Sequence, residues 1–400
     1  MSEILFLAHR IPFPPNRGDK IRSFHILKHL SGLARVHLAC FADDEADAAH
    51  LAGLREALGG RLGEAHVEVR RTSKAAAAAR ALLENKPVSL TLFDSPRLRA
   101  FAHSVLARPE VSTAFAFSGQ MAQFVPAGTR LIMDFVEMDS AKFEAYAAEG
   151  GPLAPVHRRE AKKLFAFERA TAARAEASLF VSDAEARMFL ARLGRGFEGV
   201  GSVHNGVDLV YYSPSATFPA APKGEGPLLV FTGQMDYAPN VDAVSWFAGE
   251  VLPHVPRARF AIVGRSPTET VKRLASERVI VTGAVPDTRS WLASADVVVA
   301  PLRIARGIQN KVLEAMAMAK AVVASPCAFE GIEAMPGRDL LVADAARDQA
   351  NAINTLLSDP ARAAAIGAAA RRRVEEAYRW DVRLAPLTGL LNLPTRQAAA

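Results

Sequence analysis

Apolar runs of four to six residues recur along the chain, and between most of them the apolar positions fall three and four apart, the period of a helix. Ile4 to Ala8, Val36 to Phe41, Ala65 to Val69, Thr113 to Phe117, Leu131 to Phe135 and Ser178 to Val181 predict six strands in the first half. Leu228 to Thr232, Arg259 to Val263, Val279 to Thr282, Val297 to Ala300, Ala321 to Ala324 and Asp339 to Val342 predict six more. Strands apolar along their whole length, alternating with helices, belong in parallel sheets covered on both faces. The expected fold class is α/β, with two doubly wound, Rossmann-like domains. The stretch 208–226, holding Pro214, Pro219, Pro222, Gly224 and Gly226, reads as the hinge between a domain at 1–207 and one at 227–377. Residues 378–400 read as a terminal segment.

Ligands of doubly wound sheets bind beyond the carboxyl ends of the strands, so the loops that follow strands in both halves are expected to face one cleft. The stretch most informative on this point is Val297 to Lys320, VVVAPLRIARGIQNKVLEAMAMAK: a buried strand, a basic glycine-containing loop, then a helix. The first backbone N–H groups of such a helix and its positive dipole end hold an anion without metal. Gly307, Ile308, Gln309 and Asn310 form the approach to that helix, and Arg303, Arg306 and Lys311 add positive charge around it. Lys311 and Glu314 stand three apart on one helix face, a cation suited to phosphate beside a carboxylate suited to sugar hydroxyls. A ligand with both parts is a nucleotide sugar.

In the first half, Pro14-Pro15-Asn16-Arg17-Gly18-Asp19-Lys20 follows the first strand and precedes a helix from Ile21. Gly18 lets backbone approach a ligand, Asp19 lies beside it, and Arg17, Lys20 and Arg22 offer charge; the competing reading is a solvent loop closed by proline and glycine. Asp134, Glu137 and Asp139 come at the end of the fifth strand. Carboxylates there orient sugar hydroxyls, act as a base, or bind magnesium. Acceptor orientation is the reading favoured here, and no metal ligand is assigned.

Composition changes the picture only by exclusion. Four hundred residues, half of them hydrophobic, exceed one ordinary core. No run of 18 uninterrupted apolar residues spans a bilayer, and MSEILFLAHRIPFPP reads as a first strand and loop, not a signal. Cys40 and Cys327 alone indicate no disulfide framework, so the expected location is the cytoplasm, either free or at the inner face of the cytoplasmic membrane. Net charge is +6. Residues 157–174, HRREAKKLFAFERATAAR, place basic side chains near Leu164, Phe165 and Phe167 on one helix, which suits either a solvated packed helix or peripheral membrane contact. Nucleic-acid binding is not expected, for want of a strong basic surface with interleaved aromatics. Asp44-Glu45-Ala46-Asp47 spells a helicase box without the phosphate loop it would need.

The motifs resemble those of retaining GT-B glycosyltransferases of family 4. Glu314-Ala315-Met316-Ala317 matches the second half of their Glu, seven residues, Glu signature, with Arg306 at the first glutamate position. Gly307, Lys311 and Glu314 match a branch with Gly, three residues, Lys, two residues, Glu. RIPFPPNRGDKIRSFHIL from Arg10, DFVEMDSAKFEAYA from Asp134, VHNGVDLVYYSP from Val203, FTGQMDYAPNVDAVSWF from Phe231 and ARGIQNKVLEAMA from Ala305 resemble, more narrowly, the sugar transferases associated with exosortase and exopolysaccharide loci.

The resemblance implies a nucleoside-diphosphate sugar as donor substrate, no cofactor, and a lipid-linked or polysaccharide acceptor. It implies Glu314 at the ribose hydroxyls, Lys311 and Arg306 at the diphosphate, and Gly233 against it. It also implies that residues 378–400 cross back onto the first domain. Arg265 is an available donor where relatives carry Arg and Lys after the glycine and this chain has Gln234 and Met235. Relatives also place a histidine after the fourth strand, where this chain has Ser118 and Gln120. A nucleotide-sugar 2-epimerase of the same fold and a non-catalytic nucleotide-sugar-binding scaffold remain alternatives at this level.

Overall fold

The computed structural model describes residues 3–222, 224–305 and 307–391. Arg306, expected in the catalytic loop, and the end of the terminal segment from residue 392 lie outside the described residues. The chain forms two compact units, one of residues up to His204 together with those from Leu384, the other Asn205–Arg383. The second change of unit falls inside the last helix, Trp380–Leu391.

The first unit carries β1 (Glu3–Ala8), β2 (Arg35–Ala42), β3 (Leu62–Val69), β4 (Val111–Phe117), β5 (Leu131–Val136), β6 (Ala177–Phe180) and β7 (Val200–Ser202). They form one sheet in the order β3-β2-β1-β4-β5-β6-β7, with parallel pairing throughout. The second unit carries β8 (Leu228–Thr232), β9 (Arg259–Val263), β10 (Val279–Gly283), β11 (Val297–Ala300), β12 (Val322–Ala324) and β13 (Leu341–Val342), in the order β10-β9-β8-β11-β12-β13. All twelve expected strands are present, within three residues at each end. β7 was not expected: three residues, one of them glycine, give no apolar run to read.

Both sheets run outward in two directions from a pair of strands that are distant in sequence, β1/β4 and β8/β11. At such a switch point the helices that follow the two strands leave on opposite faces, and a crevice opens above their carboxyl ends. The strands there are buried along their length because helices cover both faces. Phe135, Phe180 and Phe189 fill the first core at ring separations near 5 Å, and Phe247 packs on Phe260 at 4.6 Å in the second. Within the stretch read as a hinge, Leu209, Tyr212 and Phe218 pack on the second core.

Candidate functional site

At the switch point of the second sheet, β8 is followed by Gly233, whose N–H donates to the Val263 carbonyl at 3.0 Å. Gly264 follows β9 at φ 155°, and a Cβ on it would stand 1.6 Å from the Gly233 carbonyl oxygen. Position 264 must therefore be glycine for the two turns to touch. Gly264→Ala is expected to displace the Gly233 turn, at a cost of about 1–3 kcal/mol in local strain, and to weaken nucleotide binding at least about tenfold in calorimetry. Unchanged affinity would remove this turn from the site.

Lys311 lies in the helix Asn310–Ala317, which follows the loop after β11. No side chain caps the amino end of that helix. The Lys311 ammonium donates to Asn240 Oδ1 at 2.5 Å and sits 4.3 Å above the buried Phe231 ring. Asn240, on the helix Ala238–Trp246, donates from its other amide atom to the Gln234 carbonyl at 2.9 Å. A Cβ at Gly233 would come within 3.4 Å of the lysine nitrogen and 2.8 Å of Asn240 Nδ2. The lysine is thus anchored beside the glycine turn by an amide that brings no charge to neutralise it. Burial pulls its pKa down to about 7, against the opposing influence of Glu314.

Glu314 stands one helical turn on. Burial pushes its carboxyl above the usual range, while a hydrogen bond from Tyr212 and the charge of Lys311 work the other way. Tyr212 is fixed through its backbone: Arg371 donates at 2.7 Å to the carbonyls of both Tyr212 and Ala317, tying the tyrosine to the end of the Lys311 helix. Next to it, Arg289 lies 3.7 Å over the Tyr211 ring and is clamped by Asp287.

The structure thus brings Gly233, Lys311 and Glu314 into one constellation and adds Asn240 and Tyr212, which the sequence reading missed. The signal for both was present in the quoted motifs FTGQMDYAPN and LVYY, but nothing in spacing tells which residue reaches the helix. Arg265 is exposed, and its guanidinium lies 3.4 Å from Gln234 Oε1, at the edge of the turn. Gly307 adopts φ 66°, and Gln309 Nε2 donates to the Gly307 carbonyl at 3.1 Å. Ile308 is half-buried, and the Asn310 Oδ1 atom is buried without a partner. Arg303, expected to add charge here, is instead held by Asp242 and packs over Trp246, so its charge is compensated.

In the first unit the residues after β1 meet those after β4 and β5. His9 stacks on Phe117, 5.9 Å between ring centres. Its Nε2 lies 3.1 Å from Arg10 and 3.3 Å from Asp19, and its Nδ1 is buried without a partner. Arg17 and Asp19 pair directly at 2.7 Å. Burial would raise the Asp19 pKa, yet His9, Arg17 and Arg10 together hold it well below the usual carboxylate range. Asp139 is pushed up by burial, with Lys142 and His9 opposing and the exposed Glu137 reinforcing the rise. Gly18 begins the helix Gly18–Leu33 with open space around it. Two non-glycine residues, Ser118 at φ 75° and Val136 at φ 70°, hold left-handed conformations at the ends of β4 and β5. For a β-branched residue that is a costly geometry, of the kind that concentrates at functional sites.

Lys20, Arg22 and Asp134, read from the sequence as available charges, are corrected by the structure. Lys20 is buried against Asp47 and the Phe13 carbonyl, so it does not offer free charge. Arg22 and Asp134 form a fully buried ion pair at 2.9 Å, with Arg22 also donating to the Val203 carbonyl at 2.6 Å. Both belong to the core because Asp134 precedes the end of its strand and points inward. The helicase-like box is structural too: Asp44 caps a short helix by accepting from the Asp47 N–H.

Residues 226–359 match the family model of Glycosyl transferases group 1. A GDP-mannose-dependent alpha-(1-6)-phosphatidylinositol monomannoside mannosyltransferase of Mycolicibacterium smegmatis is 31% identical over 185 residues, 42% of this chain and 48% of that protein. The chain therefore spans about half the length of this curated relative. Among solved structures, HepE of Anabaena with UDP and glucose superposes with a TM-score of 0.65 at 16% identity, covering 98% of this chain and all of the other. Sucrose-phosphate synthase of Thermosynechococcus elongatus gives 0.66 at 15% identity, with 98% of both chains covered. TarM gives 0.68 at 12% identity, covering 98% and 99%. The fold is the GT-B fold of two parallel-sheet α/β domains, and the stretch similar to the group 1 glycosyl transferase model lies within the second unit.

Proposed function

We infer that this protein moves a sugar from a nucleoside-diphosphate sugar to a hydroxyl of a lipid-linked or growing polysaccharide acceptor, as a retaining, metal-independent enzyme of family 4. The observation that carries the reading is the Lys311 ammonium set against the Gly233 turn, at the uncapped end of its helix, one turn from Glu314. A cation and a helix terminus receive a diphosphate, and a carboxylate oriented by Tyr212 receives ribose hydroxyls.

In the reaction the bond between the sugar C1 and the diphosphate oxygen breaks, and its electron pair leaves with the diphosphate. The acceptor oxygen forms the new bond to C1, and its proton passes to the departing diphosphate. Negative charge grows on the leaving group as the bond breaks, so a fixed cation beside it lowers the barrier more than it strengthens ground-state binding. On the other unit, His9, Glu137 and Asp139 suit hydroxyls of an acceptor, with Asp19 and Arg17 holding His9 in place. The resemblance to exopolysaccharide-locus transferases favours a bacterial polysaccharide as the product.

UDP and GDP sugars are the first donors to test, because HepE was crystallised with UDP and glucose and the mycobacterial relative is named for GDP-mannose. One of them is expected to bind with proton uptake. Lys311 is about half deprotonated near pH 7 in the free protein, and a diphosphate beside it favours the ammonium form. Affinity measured by calorimetry should fall by up to about tenfold per pH unit above roughly pH 7, with a heat that depends on the buffer's ionisation enthalpy. Flat affinity between about pH 7 and 9 would place the diphosphate away from Lys311. No binding of any UDP or GDP sugar would sink the donor reading itself.

A further inference from the structure

The helix Lys74–Leu83 ends on the surface of the first unit with Leu82 and Leu83 exposed to 66% and 88%. The start of the long helix Ala154–Arg174 lies against that end. Arg159 donates to the Ala81 carbonyl at 2.8 Å and the Lys86 carbonyl at 3.2 Å, and Glu160 accepts from the N–H groups of Val88 and Ser89. Beside this junction stand two more uncovered apolar side chains, Leu153 at 59% and Val156 at 51%. Four large aliphatic side chains gathered around one junction are more than a soluble surface scatters at random.

The uncompensated charge around them is mainly basic, with the exposed Glu149 before Leu153 as an acid outside any ion pair among the described residues. Glu160, Ala161, Leu164 and Glu168 face inward, which turns Arg158 and Lys162 outward with Lys163 at their flank. None of these three basic residues is in an ion pair among the described residues. The nearest acid on the other helix, Glu84, is already engaged by Arg80 and Lys86. Ala75, Ala76 and Ala79 extend a smooth, small-residue surface along the first helix. No helix among the described residues is long and apolar enough to cross a membrane.

We propose that this face docks on a bilayer containing anionic phospholipid. Leu82, Leu83, Leu153 and Val156 enter the boundary between headgroups and acyl chains, while Arg158, Lys162 and Lys163 meet lipid phosphates. Apolar side chains flanked by basic ones are what an interfacial surface requires, because the apolar part supplies burial and the cations select negative lipid. The inference goes beyond donor chemistry and bears on one acceptor class of the functional reading: a lipid-linked acceptor would be met at the surface that holds it.

The test is co-sedimentation of the full chain with vesicles of phosphatidylcholine alone or with roughly one third phosphatidylglycerol, at low and high salt. Wild type is expected to bind the anionic vesicles at least about tenfold more tightly, and to lose most of that in high salt. Leu82→Ser with Leu83→Ser should weaken binding about tenfold, and Lys162→Gln with Lys163→Gln should erase the preference for anionic lipid. Wild type that stays in the supernatant, or variants that bind as wild type does, would overturn the proposal. So would light scattering showing a dimer that the leucine variant breaks, since a second copy would then cover the face. UDP-sugar and GDP-sugar binding, measured on the same variants, is expected to be unchanged, and its loss in wild type would count against the donor reading, not against this surface.

Discussion

Lys311→Ala is expected to lower turnover of the nucleotide sugar by about 10²-fold or more, the usual effect of removing one preorganised donor from a developing oxyanion. The reason lies in what surrounds the ammonium. Asn240 fixes its position without supplying a counter-charge, Phe231 lies beneath it, and Glu314 offsets only part of the cost of its burial, which leaves the remainder for a ligand anion to meet. Its pKa is lower in the folded protein than in the unfolded chain, where it takes the ordinary value of 10.5. The sign follows: burial of the ammonium costs stability fully below about pH 7, and the cost is relieved as pH rises toward the unfolded value. Lys311→Ala should therefore leave the melting temperature near or above that of wild type at neutral pH, which separates lost chemistry from lost fold. Glu314→Ala is expected to act differently, raising the dissociation constant for the donor more than it lowers turnover, because the ribose contacts proposed for it would persist through the reaction. Equal kcat and donor affinity in both variants and wild type would remove the site from this helix.

Asp134→Ala is expected to destabilise the first unit by about 3–5 kcal/mol, because it leaves the Arg22 guanidinium in the core without its carboxylate. The pair is fully buried, and Arg22 bridges Asp134 at the end of β5 to the Val203 carbonyl after β7. Urea unfolding should show a lower midpoint, and the double variant Arg22→Met with Asp134→Leu should recover most of the loss, since an apolar pair of similar volume no longer carries an unmatched charge. A loss below about 1 kcal/mol in the single variant would mean that water or another group already compensates Arg22.

The two halves of the molecule differ in how much of their chemistry is local. The Lys311 helix could be read from the chain because its parts are consecutive: an apolar strand, a glycine-bearing loop, and a cation and carboxylate three residues apart. Most of the twelve strands could be read for the same reason, since burial on both faces leaves a nearly continuous apolar run, while the edge strand β3 alternates apolar and polar residues. The residues that orient this constellation could not. Asn240 lies 71 positions before Lys311, and Tyr212 lies in a proline-rich stretch that looked like linker. In the first unit the sequence singled out the loops after β1 and β5, but it treated every charge in them as available. The structure divides them, sending Lys20, Arg22 and Asp134 inward and leaving Glu137 and Asp139 at the strand end. His9 was not singled out at all, because one histidine after a strand has no periodicity to mark it.

By itself, then, the sequence determined the two doubly wound sheets, the helix that carries Lys311 and Glu314, and the residue types at its opening. These follow from hydrophobic period, from glycine's freedom, and from the fixed spacing of helical side chains, all of which act over a few residues. Tertiary structure alone decided which charges are free and which are paired. A salt bridge such as Arg22–Asp134 joins residues 112 positions apart, and burial, which sets the charge state of Lys311, is a property of everything packed around a group rather than of its neighbours along the chain.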